Sequence, residues 1–132
     1  MSIAATKSVK PRPKHLDLTK IRLPLPGWVS IMHRVSGAAL FIMLPVLLWL
    51  LDMSLSTAIG FEALGELLSQ WWVKVILTGL LWSYLHHFCA GIRYLFLDMH
   101  KGVDLASARM SAGAVYFVSL PLTALLAWRL FL

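Results

Sequence analysis

The fold of this chain is decided by residues 35–51, whose sequence VSGAALFIMLPVLLWLL contains no Asp, Glu, Lys or Arg. Two later runs, Val75–Ile92 and Met110–Trp128, are likewise free of these four residue types. An α-helix rises about 1.5 Å per residue, so each run with its flanking residues can cross a hydrocarbon core of about 30 Å. The pattern predicts an all-α membrane anchor with three transmembrane helices.

The limits of the three helices are predicted from proline, glycine and tryptophan. Pro26–Gly27 is a turn signal, and Trp28 and Trp71 lie at the depth expected of a membrane interface. Pro45 lies inside the first helix, where we expect a bend. We predict a cytoplasmic or interfacial N-terminal segment at residues 1–27 and a transmembrane domain at residues 28–132, with spans at about 28–52, 72–97 and 110–131.

The composition excludes an independent soluble enzyme. Of the 132 residues, 59% are apolar and 14% are charged, and the mean hydropathy is +0.76. A soluble domain of this size has too little interior for so many apolar side chains, so lipid must solvate much of the chain. Because the three spans use most of the length, we expect any enzyme chemistry to lie on a partner or a cofactor.

The net charge of +6 is unevenly distributed along the chain. The N-terminal tail and the second connection are basic and the first connection is acidic, as the positive-inside rule requires for a cytoplasmic N-terminus. The first 17 residues contain no apolar stretch, so we expect no cleavable signal peptide. The tail is short, and Pro11 and Pro13 break any amphipathic helix, so we expect no transit peptide and a bacterial inner membrane location. The tail lacks the interleaved aromatic residues of a nucleic-acid surface, so we expect no nucleic-acid partner. The charged residues concerned are Lys7, Lys10, Arg12, Lys14, Lys20 and Arg22, then Asp52, Glu62 and Glu66, then Arg93, Lys101 and Arg109.

A polar cluster lies where the first span begins. Ser30, Arg34 and Gly37 are spaced at i, i+4 and i+7 and share one helix face, with His33 one step round from Arg34. A hydroxyl, an imidazole and a guanidinium can bind a carboxylate, a phosphate or a ring carbonyl. The alternative is that Arg34 reaches out to lipid headgroups and His33 packs at the interface.

Two adjacent histidines, His86 and His87, lie inside the second span. Neutral imidazole is a common haem ligand, but adjacent helical residues diverge by about 100°, so at most one of the two binds a given iron. We expect His33 to lie too near the cytoplasmic surface to be the opposing ligand, which would then come from a partner chain. The alternative is that both histidines bond to neighbouring helices or to water.

Three stretches of the chain carry a resemblance to a known family. They are RPKHLDL at residues 12–18, SIMHRVSG at 30–37 and HFCAGIRYLFLD at 87–98. Together they resemble the cytochrome b membrane-anchor subunit of succinate dehydrogenase, the complex II succinate:quinone oxidoreductase. The family often has histidine directly after Gly-Ile-Arg, where this chain has Tyr94.

The resemblance implies roles for individual residues. His87 corresponds to an axial ligand of a b-type haem iron, His33 and Arg34 to groups near the haem propionates, and Ser30 and Arg34 to the ubiquinone site. It also implies three protein partners. These are a second small membrane-anchor subunit that supplies the other haem ligand, an iron–sulfur subunit and a flavoprotein subunit.

Three alternatives belong to other classes of protein. The first is a structural membrane tether without haem, in which His87 is a packing residue. The second is the anchor of a fumarate reductase, which works in the opposite direction. The third is a small transporter or channel subunit, which would call for polar residues through all the spans and broken helices at the midplane.

Overall fold

The computed structural model describes residues 21–132, and this part of the chain is helical without any strand. It contains four helices in chain order, α1 (Leu25–Ser56), α2 (Ala58–Ser69), α3 (Trp71–Asp98) and α4 (Leu105–Phe131). Residues 1–20, which include the RPKHLDL stretch and most of the predicted N-terminal segment, lie outside the described residues.

Three of the helices are long and apolar enough to span a membrane. Helices α1, α3 and α4 contain 32, 28 and 27 residues, so at about 1.5 Å per residue each exceeds the 30 Å hydrocarbon thickness. Each helix also extends beyond the span expected from the sequence, and α1 and α4 continue through Pro45 and Pro121. The prediction of an all-α, three-helix membrane domain is confirmed.

The helix ends follow ordinary capping chemistry. The Oγ1 atom of Thr57 accepts the Gly60 N–H at 2.9 Å and begins the short helix α2. Asp104 caps α4 in the same way, because its carboxylate accepts the Ser107 N–H at 2.9 Å. This hydrogen bond from the Ser107 backbone holds the pKa of Asp104 below its usual value.

Helix α3 ends in a Schellman motif, in which two backbone N–H groups fold back onto the last turn. The His100 N–H donates to the Leu97 carbonyl at 2.9 Å, and the Lys101 N–H donates to the Phe96 carbonyl at 3.0 Å. His100 occupies the left-handed position with φ 58°, where glycine is usual. This turn leads the chain into α4.

The core lies where α1, α3 and α4 meet. Helix α3 makes the most extensive contacts, with both α1 and α4. The central cluster consists of the buried Val29, Ala90, Ala112 and Val115, whose small side chains let the helix backbones approach closely. Large apolar residues instead point outward, as Phe41 (77% exposed) and Phe117 (81% exposed) do. This arrangement suits a chain whose outer surface meets lipid or another membrane protein.

Candidate functional site

The ring of His87 lies against the backbone of α1. Its Nδ1 atom is 3.0 Å from the His33 carbonyl oxygen and 3.4 Å from Ser36 Oγ. A carbonyl oxygen can only accept a hydrogen bond, so Nδ1 carries the hydrogen and donates it. In the neutral ring, Nε2 then keeps a free lone pair, which is the form of imidazole that binds a metal.

Ser36 also contributes to this arrangement. It is buried, and its hydroxyl donates to the same His33 carbonyl at 3.0 Å. The carbonyl therefore accepts from the Ser36 hydroxyl and from His87 Nδ1 at the same time. Helix α1 therefore sets both the tautomer and the ring position of His87, although Ser36 and His87 are 51 residues apart in sequence.

Gly37 provides the space that the His87 ring occupies. A Cβ atom at position 37 would lie 2.7 Å from His87 Cε1 and 3.1 Å from Nδ1, closer than real side-chain contacts allow. Glycine at this position is what lets an imidazole from α3 reach the backbone of α1.

The imidazole ring of His33 stacks on the ring of His87. Its ring centroid is 4.1 Å from that of His87, with 11° between the planes, and the Tyr94 ring lies 5.1 Å beyond it. His33 is therefore at the depth of His87, deeper than we expected from the sequence. The two rings meet face to face, whereas two axial ligands would point nitrogens at one iron from opposite sides. His33 and His87 thus do not form an axial pair.

His86 points in a different direction, into the three-helix core. It is 0% exposed, and its ring lies 5.2 Å from that of Trp82 and 5.1 Å from that of Tyr116. Neither of its ring nitrogens has a hydrogen-bond partner within residues 21–132. Because packed side chains surround it, His86 offers no nitrogen to a ligand outside the bundle. The structure thereby separates the two adjacent histidines that the sequence left equivalent.

Ser30 and Arg34 come together on the surface of α1. The Nη2 group of Arg34 donates to Ser30 Oγ at 3.2 Å, as their i, i+4 spacing predicted. Arg34 is exposed and Ser30 is half-buried. Ser30 lies about 8 Å along the helix from Leu25, nearer the membrane surface than His33 and His87.

These groups share an outward surface with several aromatic residues. Tyr84 and Phe88 flank His87 on α3, are each 56% exposed and stack on one another with centroids 6.3 Å apart. On α1 the exposed Phe41 lies two turns beyond Arg34. We call this surface, formed by Ser30, Arg34, Phe41, Tyr84, His87 and Phe88, the outer face. It presents polar groups and aromatic rings that residues 21–132 leave at least partly uncovered.

Arg93 has a structural role that its sequence context did not reveal. It is 7% exposed, and it donates from Nε to Ser111 Oγ at 3.0 Å and from Nη2 to the Ala108 carbonyl at 3.3 Å. These bonds join α3 to α4 on the side away from the outer face. The signal for this role in the sequence was the i, i+7 spacing of Arg93 from His86, which places both residues on one helix face. The structure shows that this face is buried in the bundle.

Comparison with known proteins gives one consistent result. The family model described as "Succinate dehydrogenase/Fumarate reductase transmembrane subunit" matches residues 8–126. Among curated proteins, the chain is 38% identical to a succinate dehydrogenase cytochrome b556 subunit from Coxiella burnetii, over 82% of this chain and 87% of that protein. It is 32% identical to the subunit of that name from Paracoccus denitrificans, over 86% and 88%, and 31% identical to that from Rickettsia prowazekii, over 87% and 90%.

Proposed function

We propose, from the premise that this chain belongs to the succinate dehydrogenase/fumarate reductase transmembrane subunit family, that His87 is an axial ligand of a b-type haem. The family membership was expected from the SIMHRVSG and HFCAGIRYLFLD stretches, and it is confirmed. The chain is accordingly a multi-pass membrane subunit of a succinate dehydrogenase complex, which implies a flavoprotein subunit that oxidises succinate and an iron–sulfur subunit as partners.

The observation that carries the proposal is the hydrogen bond from His87 Nδ1 to the His33 carbonyl at 3.0 Å. Metal-binding histidines almost always donate their second ring N–H to a carbonyl, a carboxylate or water, which fixes the tautomer and raises the basicity of the ligating nitrogen. His87 meets this requirement and His86 does not. When bound, a b-type haem supplies a one-electron redox centre within the membrane.

The second axial ligand comes from a partner in this proposal. His33 is stacked face to face on His87, and His86 is buried in the core, so neither is arranged to oppose His87 across an iron. The outer face that carries His87 is not covered by the described residues, 21–132. A second small membrane-anchor subunit that packs on this face would bring its own imidazole to the other side of the haem.

We assign the propionates of the haem to His33 and Arg34. A guanidinium has five N–H donors, and the bond to Ser30 uses one N–H of Nη2. Arg34 is exposed on the outer face and therefore has donors left for a carboxylate, which guanidinium groups bind well in a bidentate manner. His33 precedes Arg34 in the chain, and its ring stacks on that of His87, which supports its assignment to the same group.

We assign the reduction site of ubiquinone to Ser30 and Arg34. The Ser30 hydroxyl can donate to a quinone carbonyl, and the Arg34 cation stabilises the negative charge that develops on the quinone oxygens during reduction. Quinone reduction consumes two electrons and two protons, so a site near the membrane surface has ready access to water. With the N-terminus in the cytoplasm, as the charge distribution predicts, these protons come from the cytoplasmic side.

The adjacent histidines provide a matched test of the haem ligand. In the purified complex, His87→Ala should abolish the reduced-minus-oxidised haem absorbance, because it removes the ligating nitrogen. His86→Leu should retain that absorbance, because His86 contributes packing and makes no hydrogen bond in the described part of the chain. A normal haem spectrum in His87→Ala, or loss of haem only in His86→Leu, would contradict the assignment.

The quinone site is tested by separating two activities of one complex. Ser30→Ala and Arg34→Leu should lower kcat/KM for ubiquinone reduction by about 10-fold and 100-fold, since each removes a hydrogen bond of about 1–3 kcal/mol. Succinate oxidation with a soluble dye should persist, because it does not use the membrane site. Ser54→Ala, at the other end of α1, is the control and should be silent. Full quinone turnover in both site variants would refute the assignment.

A fumarate reductase anchor remains the second candidate, because the matching family includes both directions of the reaction. The curated relatives reported above are all named as succinate dehydrogenase subunits, which favours succinate oxidation. Comparing succinate:quinone with quinol:fumarate rates in one preparation distinguishes the two. A faster quinol:fumarate rate would favour the second candidate.

A further inference from the structure

A groove of about 600 Å³ runs between α3 and α4, on a surface distinct from the outer face. Its walls are largely apolar, and several wall residues are exposed at its rim, including Phe96 (51%) and Met110 (73%). Lining residues extend from Ser107 to Val118 along α4, which corresponds to about 16 Å at 1.5 Å per residue. A long, narrow, apolar groove of this length suits one acyl chain.

One end of the groove carries positive charge. Lys101 and Arg93 are the charged residues that line it in the described part of the chain. Lys101 is exposed in the connection between α3 and α4, at the membrane surface, and Arg93 lies buried just below. Arg93 gives Nε–H and one N–H of Nη2 to Ser111 and the Ala108 carbonyl, so further guanidinium donors are left.

Two acidic residues, Asp98 and Asp104, flank Lys101 in the sequence, but neither of them lines the groove. Asp98 is the last residue of α3, and the Asp104 carboxylate accepts the Ser107 N–H as the cap of α4. The two charged side chains that line the groove in the described part of the chain are therefore both cationic. An occupant with an apolar tail and a net negative head would complement both parts of this groove better than a lipid without net charge.

A second groove in the same chain offers a comparison. It has a volume of about 320 Å³ between α1, α2 and α3, and its lining residues in the described part of the chain carry no charge. Apolar walls alone would admit acyl chains without any preference for the headgroup. The combination of apolar length and cationic end therefore distinguishes the α3–α4 groove from this second groove.

We propose that the α3–α4 groove binds an anionic phospholipid, with an acyl chain along α4 and its phosphate at Lys101 and Arg93. Lys101 stands where α3 ends, at the depth expected of lipid phosphates, and Arg93 lies about 8 Å before that helix end. Each lysine or arginine near a membrane surface attracts anionic lipid with about a fivefold effect on affinity. This site is independent of the haem and quinone assignments, since none of its residues belongs to them.

The test uses the purified, delipidated complex and native mass spectrometry to count bound lipids. Phosphatidylglycerol should be retained more tightly than phosphatidylcholine with identical acyl chains. Lys101→Gln should weaken phosphatidylglycerol binding about fivefold, and Ala114→Phe, which fills the apolar part of the groove, should reduce the number of lipids retained. Lys74→Gln is the matched control, because Lys74 lies at the opposite end of α3 over the Phe131 ring.

Three results would overturn the proposal. The first is equal binding of the two lipids by the unmodified complex. The second is an equal effect of Lys101→Gln and Lys74→Gln, which would indicate a general loss of charge. The third is a density map of the complex in which a partner subunit's side chains fill the groove. If Ala114→Phe does not assemble, the lysine pair decides the matter alone.

Discussion

Replacing Gly37 with alanine tests the site through a residue that does not itself bind a ligand. The added Cβ would lie 2.7 Å from His87 Cε1, whereas ordinary contacts begin at 3.4 Å. To restore an ordinary contact, the imidazole and the added Cβ must separate by 0.7 Å, the difference between these two distances. Helix α1 is held by its own backbone hydrogen bonds, so the ring moves and the backbone does not.

That displacement breaks the arrangement that prepares His87 for iron. The bond from Nδ1 to the His33 carbonyl, now 3.0 Å, would lengthen or bend, and the ligating nitrogen would leave its position. Loss of such a supporting hydrogen bond typically costs 10-fold to 100-fold in metal affinity. The helix itself should gain about 1 kcal/mol, because alanine is a better helix former than glycine. Haem binding and helix stability should thus change in opposite directions.

Gly79 and Gly91 provide the controls for this substitution. A Cβ at Gly79 would meet nothing within 4 Å, and one at Gly91 would lie 3.9 Å from His33 Nε2, an ordinary contact. Haem absorbance per flavin in the purified complex should fall in Gly37→Ala and stay unchanged in Gly79→Ala and Gly91→Ala. A wild-type haem content and midpoint potential in Gly37→Ala would show that the ring position argued above is not the one that binds haem.

Three further predictions concern the scaffold. Arg93→Met should lower the thermal unfolding midpoint by several degrees, since it removes charged hydrogen bonds worth about 1.5–3 kcal/mol. Ser111→Ala should lower the midpoint less. Equal midpoints for the unmodified protein and Arg93→Met would contradict the proposed link between α3 and α4. His100→Gly should raise stability by about 1 kcal/mol in chemical denaturation by relieving φ 58°, and no gain would mean that the turn is unstrained. Folding lowers the pKa of Asp104 from 3.8, so its cap stabilises the protein above that pH, and this stabilisation is lost as the pH falls through the pKa of the folded state. In acid titrations followed by circular dichroism, Asp104→Asn should lack this loss. Parallel acid profiles of the unmodified protein and Asp104→Asn would contradict the prediction.

The fold was predictable because its signals are local. Each transmembrane helix corresponds to a continuous apolar run of the sequence. The members of the cluster on α1, Ser30, Arg34 and Gly37, are separated by four and three residues, the spacing of one helix face. The helix ends were less predictable, since apolarity falls off gradually while the backbone continues into the interface.

The details of the site depend on contacts between distant residues and could not be read in this way. That His87 bonds to a carbonyl of α1, and that Gly37 makes room for it, requires knowing how α1 and α3 are rotated against each other. The same rotation buries His86 and brings His33 to the depth of His87. Helical spacing predicts which residues share a face but not which neighbour that face meets.

The energetics of the outer face connect ligand binding to assembly. The core of this chain is built from small residues between the three helices and leaves Arg34 exposed and His87 half-exposed. Arg34 lies near enough to the membrane surface to reach water, whereas His87 lies deeper, where an unpaired polar group costs free energy. Covering this face with a partner that offers polar groups is therefore favoured. A haem bound between the two subunits would stabilise the assembled state over the separated one, by about 2.7 kcal/mol at a free concentration of 100 times Kd. His87→Ala should therefore loosen the association of the anchors as well as remove the haem, whereas a residue that only packed within its own subunit would affect neither.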